Sequence, residues 1–214
     1  MEQDRLDFNA LILAGGRSSR LGGVPKQGLV FQGDTLLQRS LAAASGANRT
    51  VVVGPDLGAL PAGVLSCREQ PVFAGPAAAV AAGLEALAQA GSEETYTLVL
   101  ACDMPRVAAA VEALTAELAG NPRADAIIAC AEDGRAQHLA GFYRTAGLKC
   151  AARELASRGA LDNGSMRALL ASLDVQLVTV PAGSTADVDT WDDAAALGVE
   201  AGSRDEGQDR RGSS

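Results

Sequence analysis

Leu11–Lys26 reads LILAGGRSSRLGGVPK, an apolar strand that runs straight into a loop holding four glycines, two arginines and a lysine. That order of residues suits a polyphosphate. The strand segment FNALIL (8–13) can be buried on both faces of a parallel sheet, and glycines after it let backbone N–H groups turn toward an anion without interference from Cβ atoms. Arg17, Arg20 and Lys26 supply the compensating charge. Spacing excludes two common phosphate loops. A Walker loop needs glycine immediately before its lysine, where this chain has Pro25, and Gly15-Gly16 with Gly22-Gly23 does not give the GxGxxG of a dinucleotide fingerprint.

Outward from this segment, short apolar runs alternate with alanine-rich stretches. Strands are expected at 8–13, 50–53, 96–100, 126–129 and 175–180. Helices are expected at 34–45, 76–90, 107–118, 146–157 and 190–197, with Asp34 and Thr190 at N-cap positions. Such alternation implies βαβ units and an α/β fold with a mostly parallel sheet. Leu139–Tyr143 is a further strand candidate of either direction. A single domain is expected over 8–199, with flexible termini at 1–7 and 200–214, the latter polar and glycine-rich.

Composition narrows the function classes. A formal net charge of −8 argues against a protein devoted to nucleic acid, which needs a broad basic surface. Four cysteines without a CxxC pair and a single histidine argue against a zinc site. Apolar runs fall short of the ~20 residues that span a bilayer, so no membrane partner is expected. The opening MEQDRLD lacks the basic-then-apolar order of a secretion signal, which points to the cytoplasm.

Three further stretches carry chemistry. In LVLACDMP (98–105) a buried strand runs out into Asp103, at the sheet edge where α/β folds bind ligands. Asp103 is placed to hold a hard cation such as Mg2+, and capping the helix near Pro105 is an alternative role that can coexist with it. In DVDTWDD (187–193) some aspartates must be helix-start acids, and Asp189 is the candidate for a second metal contact. Small residues at Gly75-Pro76 either let a helix N-terminus approach a ligand or serve helix-to-sheet packing.

Together, LAGGRSSRLGGVPK, EQPVFAGP, ACDMP and DVDTWDD resemble the nucleotidyltransferase superfamily, and within it the molybdenum cofactor guanylyltransferase family. The likeness spans roughly residues 8–197. It implies a three-layer Rossmann-like nucleotidyltransferase fold and Mg2+-dependent transfer of GMP from GTP to molybdopterin, with pyrophosphate released. Contacts with molybdoenzymes or other proteins of the cofactor pathway are a further implication. Glycine at position 15 resembles the guanylyl enzymes, whereas related cytidylyltransferases tend to read LAAG. By position, Leu13, Ala14 and Gly15 would meet guanine and ribose, while Gly16, Arg20, Gly23 and Lys26 surround the triphosphate. Asp103 would bind Mg2+ with Asp189, and Arg20, Lys26 and Asp103 would carry catalysis.

Two positions depart from the family pattern. Gly54 stands where Asn often follows the second strand, and Gln70 stands after Glu69 where Asp is common. Both fall among the nucleoside contacts, and the Gln70 amide both donates and accepts. For the acceptor, Gln137–Tyr143 and Asn163–Arg167 are candidates, with an edge strand and a helix cap as their alternative roles. Alternatives to guanylyl transfer are a cytidylyl or other nucleotidyl transfer to a different phosphorylated acceptor, and a non-catalytic nucleotide-binding accessory protein.

Overall fold

The computed structural model describes residues 6–16, 18–55, 58–121 and 123–202. In chain order the elements are β1 (Phe8–Leu13), β2 (Val30–Phe31), β3 (Asp34–Thr35), α1 (Leu36–Ala43), β4 (Thr50–Val53) and β5 (Val64–Cys67). They continue as α2 (Gly75–Gln89), β6 (Tyr96–Ala101), α3 (Val107–Gly120), β7 (Ala126–Cys130), β8 (Ala136–Arg144) and α4 (Thr145–Ser157). The last are α5 (Met166–Leu169), β9 (Val175–Thr179), α6 (Trp191–Leu197) and β10 (Val199–Glu200).

Seven strands form the central sheet in the order β5-β4-β1-β6-β8-β7-β9. Every neighbouring pair is parallel except those of β8, which runs antiparallel to both β6 and β7. All six residues of β1 are buried. Alternation sends Ala10 and Ile12 to one face, against Val107, Val111 and Leu114 of α3. Leu11 and Leu13 go to the other, against Val80 and Leu84 of α2. Helices therefore cover both faces, as a parallel sheet requires. The α/β class and the mostly parallel sheet match the expectation, and the antiparallel strand is the extended Leu139–Tyr143 candidate.

The chain leaves β1 toward β4 on one side and returns to β6 on the other. A crevice opens at such a switch point, outside the carboxyl ends of the two strands. The glycine-rich loop follows β1, and Asp103 follows β6.

A three-stranded sheet, β10-β2-β3, sits apart with its own core of Leu21, Leu29, Phe31, Leu36, Val188 and Val199. Two-residue strands leave no period to read, so the sequence did not show it. This sheet corrects two expectations. Asp34 does not cap α1, because Gln32 and Gly33 take positive φ (52° and 90°) in a tight hairpin turn that commits Asp34 to pairing with Phe31. Thr35 caps instead, its hydroxyl accepting from the Gln38 amide at 3.1 Å while Gln38 Oε1 accepts from the Thr35 amide. Glu200, placed in a flexible tail, pairs with Val30 in β10. Residues 1–5 and 203–214 of the expected termini lie outside the described residues.

The middle of the sheet has no room to spare at Gly141 of β8. A Cβ there would stand 2.6 Å from Ile128 Cγ2 and 2.8 Å from the Ile127 carbonyl oxygen. Gly141→Ala is expected to cost about 3 kcal/mol, because a backbone atom cannot rotate away. Thermal unfolding should show a loss of roughly 6–12 °C in Tm.

Candidate active site

Loops after β1 and β6, the segment before α2 and the approach to α6 enclose a cleft of about 510 Å3. One wall begins with Leu13 and Ala14, both buried, and continues through Gly15 and Gly16. Gly16 has φ 145°, which an L side chain rarely adopts, and it opens the turn away from the sheet. A short 3-10 turn over Ser19–Leu21 buries Leu21 and leaves Arg20 exposed at the rim. Gly23 does not line the cleft; with φ 83° it closes this turn by donating to the Ser18 carbonyl at 3.0 Å. Arg17 lies outside the described residues.

Lys26 begins a second 3-10 turn, and its ammonium reaches across the cleft to both predicted metal carboxylates. Nζ donates to Asp103 Oδ2 at 2.9 Å and to Asp189 Oδ1 at 2.5 Å. Arg20 adds a longer pair with Asp189 at 3.6 Å, but it is 73% exposed, so water screens that contact. Asp103 does not cap α3; that helix starts at Val107 with Arg106 at the N-cap. The Asp103 carbonyl accepts from the Val188 amide at 3.0 Å, which clips the approach to α6 onto the end of β6.

Burial pushes the Asp103 carboxyl above the ordinary carboxylate range, Lys26 opposes that shift, and Asp187 adds to it. For Lys26, burial alone would lower the pKa, but Asp103 and Asp189 outweigh it and the net shift is upward.

Asp187 was not singled out in the sequence. It joins Asp103 and Asp189 in a group whose oxygens lie within 4.8 Å of one another. Three carboxylates suit a hard divalent cation such as Mg2+, which takes oxygen ligands. Asp193 belongs elsewhere, since its carboxyl accepts from the Thr190 amide at 2.8 Å and completes a capping box. Thr190 caps α6 as expected.

Gly54 lies behind the first loop rather than in the cleft. A Cβ there would come within 3.0 Å of the Ala14 carbonyl carbon and 3.2 Å of the Gly15 nitrogen, so β4 ends in direct backbone contact with the loop. Position 15 is roomier, with nothing nearer than 3.9 Å to an added Cβ.

On the segment before α2 it is Glu69, not Gln70, that faces the cleft. Gln70 is exposed and outside the lining, while Glu69 is buried within it. Phe73, Gly75 and Pro76 complete this wall. Of the acceptor candidates, Leu139 lines the cleft. The His138 carbonyl accepts from the Tyr143 hydroxyl within β8. Asn163 donates its amide to the Ala74 carbonyl at 2.6 Å, and Ser165 caps α5, so this segment braces the start of α2 from outside. No helix among the described residues is long and apolar enough to cross a membrane.

Residues 10–177, which supply both strand-end loops, match the MobA-like NTP transferase domain. The chain belongs to that family. Among curated MobA-like relatives, it is 40% identical over 133 residues to the molybdenum cofactor guanylyltransferase of Bordetella petrii, covering 60% of this chain and 64% of that one. It is 38% identical over 109 residues to the molybdenum cofactor guanylyltransferase of Ralstonia nicotianae, covering 47% and 49%. The chain thus spans between about half and just under two thirds of these curated relatives.

Solved structures extend the likeness over most of the MobA-like chain. Molybdopterin-guanine dinucleotide biosynthesis protein A from Archaeoglobus fulgidus superposes with a TM-score of 0.66 at 20% identity, over 88% of this chain and 96% of that one. The 2-C-methyl-D-erythritol 4-phosphate cytidylyltransferase from Thermus thermophilus gives 0.63 at 22% identity, over 90% and 97%. Both likenesses are evidence for the fold.

Proposed function

We propose that the chain is a molybdenum cofactor guanylyltransferase, transferring GMP from GTP to the terminal phosphate of molybdopterin in the cytoplasm. The observation that carries this is the seating of Lys26 between Asp103 and Asp189, which assembles a cation-and-carboxylate centre beside the glycine-rich loop. The names of the curated relatives supply the nucleotide and the acceptor.

A terminal phosphate oxygen of molybdopterin forms the new bond to the α-phosphorus of GTP. The bond from that phosphorus to the bridging oxygen breaks, and the oxygen leaves with pyrophosphate. Because the attacking phosphate is already anionic, no general base is required. That suits a cleft without a described histidine in its lining. Asp103, Asp187 and Asp189 would hold Mg2+, which supplies charge neutralisation for the triphosphate when bound. Lys26 and Arg20 hold the phosphates in line, and the Gly15–Gly16 backbone brings them close to the end of β1.

The test is a pyrophosphate-release assay that crosses GTP, CTP, ATP and UTP with molybdopterin. Release with GTP and molybdopterin alone is expected. Release with CTP instead would make the chain a cytidylyltransferase, and nucleotide binding without release would make it an accessory protein.

A further inference from the structure

Between α2 and α4 lies a groove of about 360 Å3 that shares no residue with the cleft. Lys149 near the start of α4 pairs with Glu93, just after α2, at 3.2 Å, and the Asn163 amide beyond α4 donates to the Ala74 carbonyl before α2. The two helices therefore run antiparallel. Leu84 and Leu161 line the groove with four alanines, Ala81 and Ala88 of α2 and Ala152 and Ala156 of α4. Ala88 and Ala156 are exposed, and alanine at such positions lets another helix approach closely. The banks differ in charge. Glu85 and Glu93 stand on the α2 side, and Lys149 and Arg153 on the α4 side. Lys149 is engaged with Glu93, but Glu85 and Arg153 are exposed and neither has an ion-pair partner among the described residues.

We infer that this groove is an interface between two copies of the chain, each laying its α2 over the α4 of the other. Two-fold symmetry allows the face to meet itself in two ways. An axis along the groove exchanges the banks and keeps every residue at its own level, so acid meets base. An axis across the groove sets α2 on α2 and α4 on α4, so like charges meet. Arg153 follows Lys149 by one turn of α4, and Glu85 precedes Gln89, at the end of α2, by one turn, so the two stand at nearly the same level. The first arrangement therefore places Glu85 of each copy over Arg153 of the other, around an apolar centre of alanine and leucine with a charged rim. Charge also singles out this face. The four charged side chains of the groove cancel, whereas the chain carries a net −8, so two copies that repel elsewhere do not repel here. A second copy supplies the missing partners of both Glu85 and Arg153, because the pattern is its own complement. The interface is independent of the guanylyl transfer proposed above.

Sedimentation velocity over a concentration series tests this on the full wild-type chain, on Arg153→Glu, on Glu85→Arg and on the double variant that carries both. Wild type is expected to pass from monomer to dimer as concentration rises, and to do so less readily at high salt. Each single reversal sets like charges against each other at both symmetric contacts and should weaken the dimer by about 100-fold. The double variant exchanges the two banks and should recover dimerisation to within about tenfold of wild type. Both positions are exposed, so all three variants should melt close to wild type.

A wild type that stays monomeric at the highest concentration overturns the inference and leaves the groove to a helix of another protein. A dimer that both single reversals leave intact lies on a different face and overturns it too. Failure of a folded double variant to recover overturns the crossed pairing of the banks. Guanylyl transfer stands under any of these results.

Discussion

Asp103→Asn is expected to slow pyrophosphate release by about 100-fold or more, while the protein melts no lower than wild type. The two effects share one cause. Asp103 is a carboxylate held largely out of water, and burial, with a smaller push from Asp187, outweighs the opposing pull of Lys26, so its ionised form is disfavoured and its pKa is raised in the folded state. For a group whose folded pKa lies above its unfolded value, the stabilising contribution is present below the unfolded value, ordinarily 3.8, and is lost as pH rises through the folded one. At neutral pH the ionised carboxylate is therefore a net cost to folding, and asparagine removes it. The Tm advantage of the variant should shrink as pH falls into the carboxylate range. Near wild-type turnover in the folded variant would remove Asp103 from the catalytic centre, and a Tm well below wild type at pH 7 would mean that its pair with Lys26 outweighs the cost of burial.

Lys26→Ala should show the opposite pattern in stability and a similar loss in rate. Among the described residues its ammonium is the nearest positive charge to Asp103 and Asp189, and without it three carboxylates face one another across the cleft. Breaking such a pair by removing one partner leaves an uncompensated charge, here softened by the 45% exposure of Asp189, so a loss of about 1–3 kcal/mol is expected. Because the folded pKa of Lys26 is raised, the Tm gap to wild type should persist from neutral pH to the ordinary lysine value of 10.5 and close only above it.

The Mg2+ proposed for this centre would fill the same place. Millimolar Mg2+ or Mn2+ without nucleotide should raise the Tm of Lys26→Ala more than that of wild type, since the lysine no longer competes for the carboxylates. Equal shifts in the two proteins would mean that Lys26 and the cation do not share these oxygens. Turnover should nonetheless fall about 100-fold in the variant, because the cation does not replace the contact proposed for Lys26 with the phosphates.

Much of this centre was legible in the sequence because its logic is local. A six-residue, mostly apolar strand followed by glycines and basic residues places the candidate phosphate loop at a strand end, and LVLACDMP does the same for Asp103. The choice among the aspartates of DVDTWDD was only half legible. Asp189 was separable from the helix-start acids by its position before Trp191, but Asp187 enters the centre only because the Asp103 carbonyl holds the Val188 amide and fixes the course of the chain there.

Sequence alone determined the α/β class, the principal strands and helices of the sheet, the glycine-rich loop after β1, and Asp103 at the carboxyl edge. These follow from periodicity and from residue chemistry within a dozen positions. Tertiary structure alone decided the rest. It joined the β2–β3 hairpin to β10 from the far end of the fold, drew Lys26 between two carboxylates 77 and 163 residues away, and placed Glu69 rather than Gln70 in the lining of the cleft. Which of two adjacent side chains faces inward depends on the course of the backbone through a turn, and long-range pairing depends on which surfaces remain once the core has closed. Neither is written in any local run of residues.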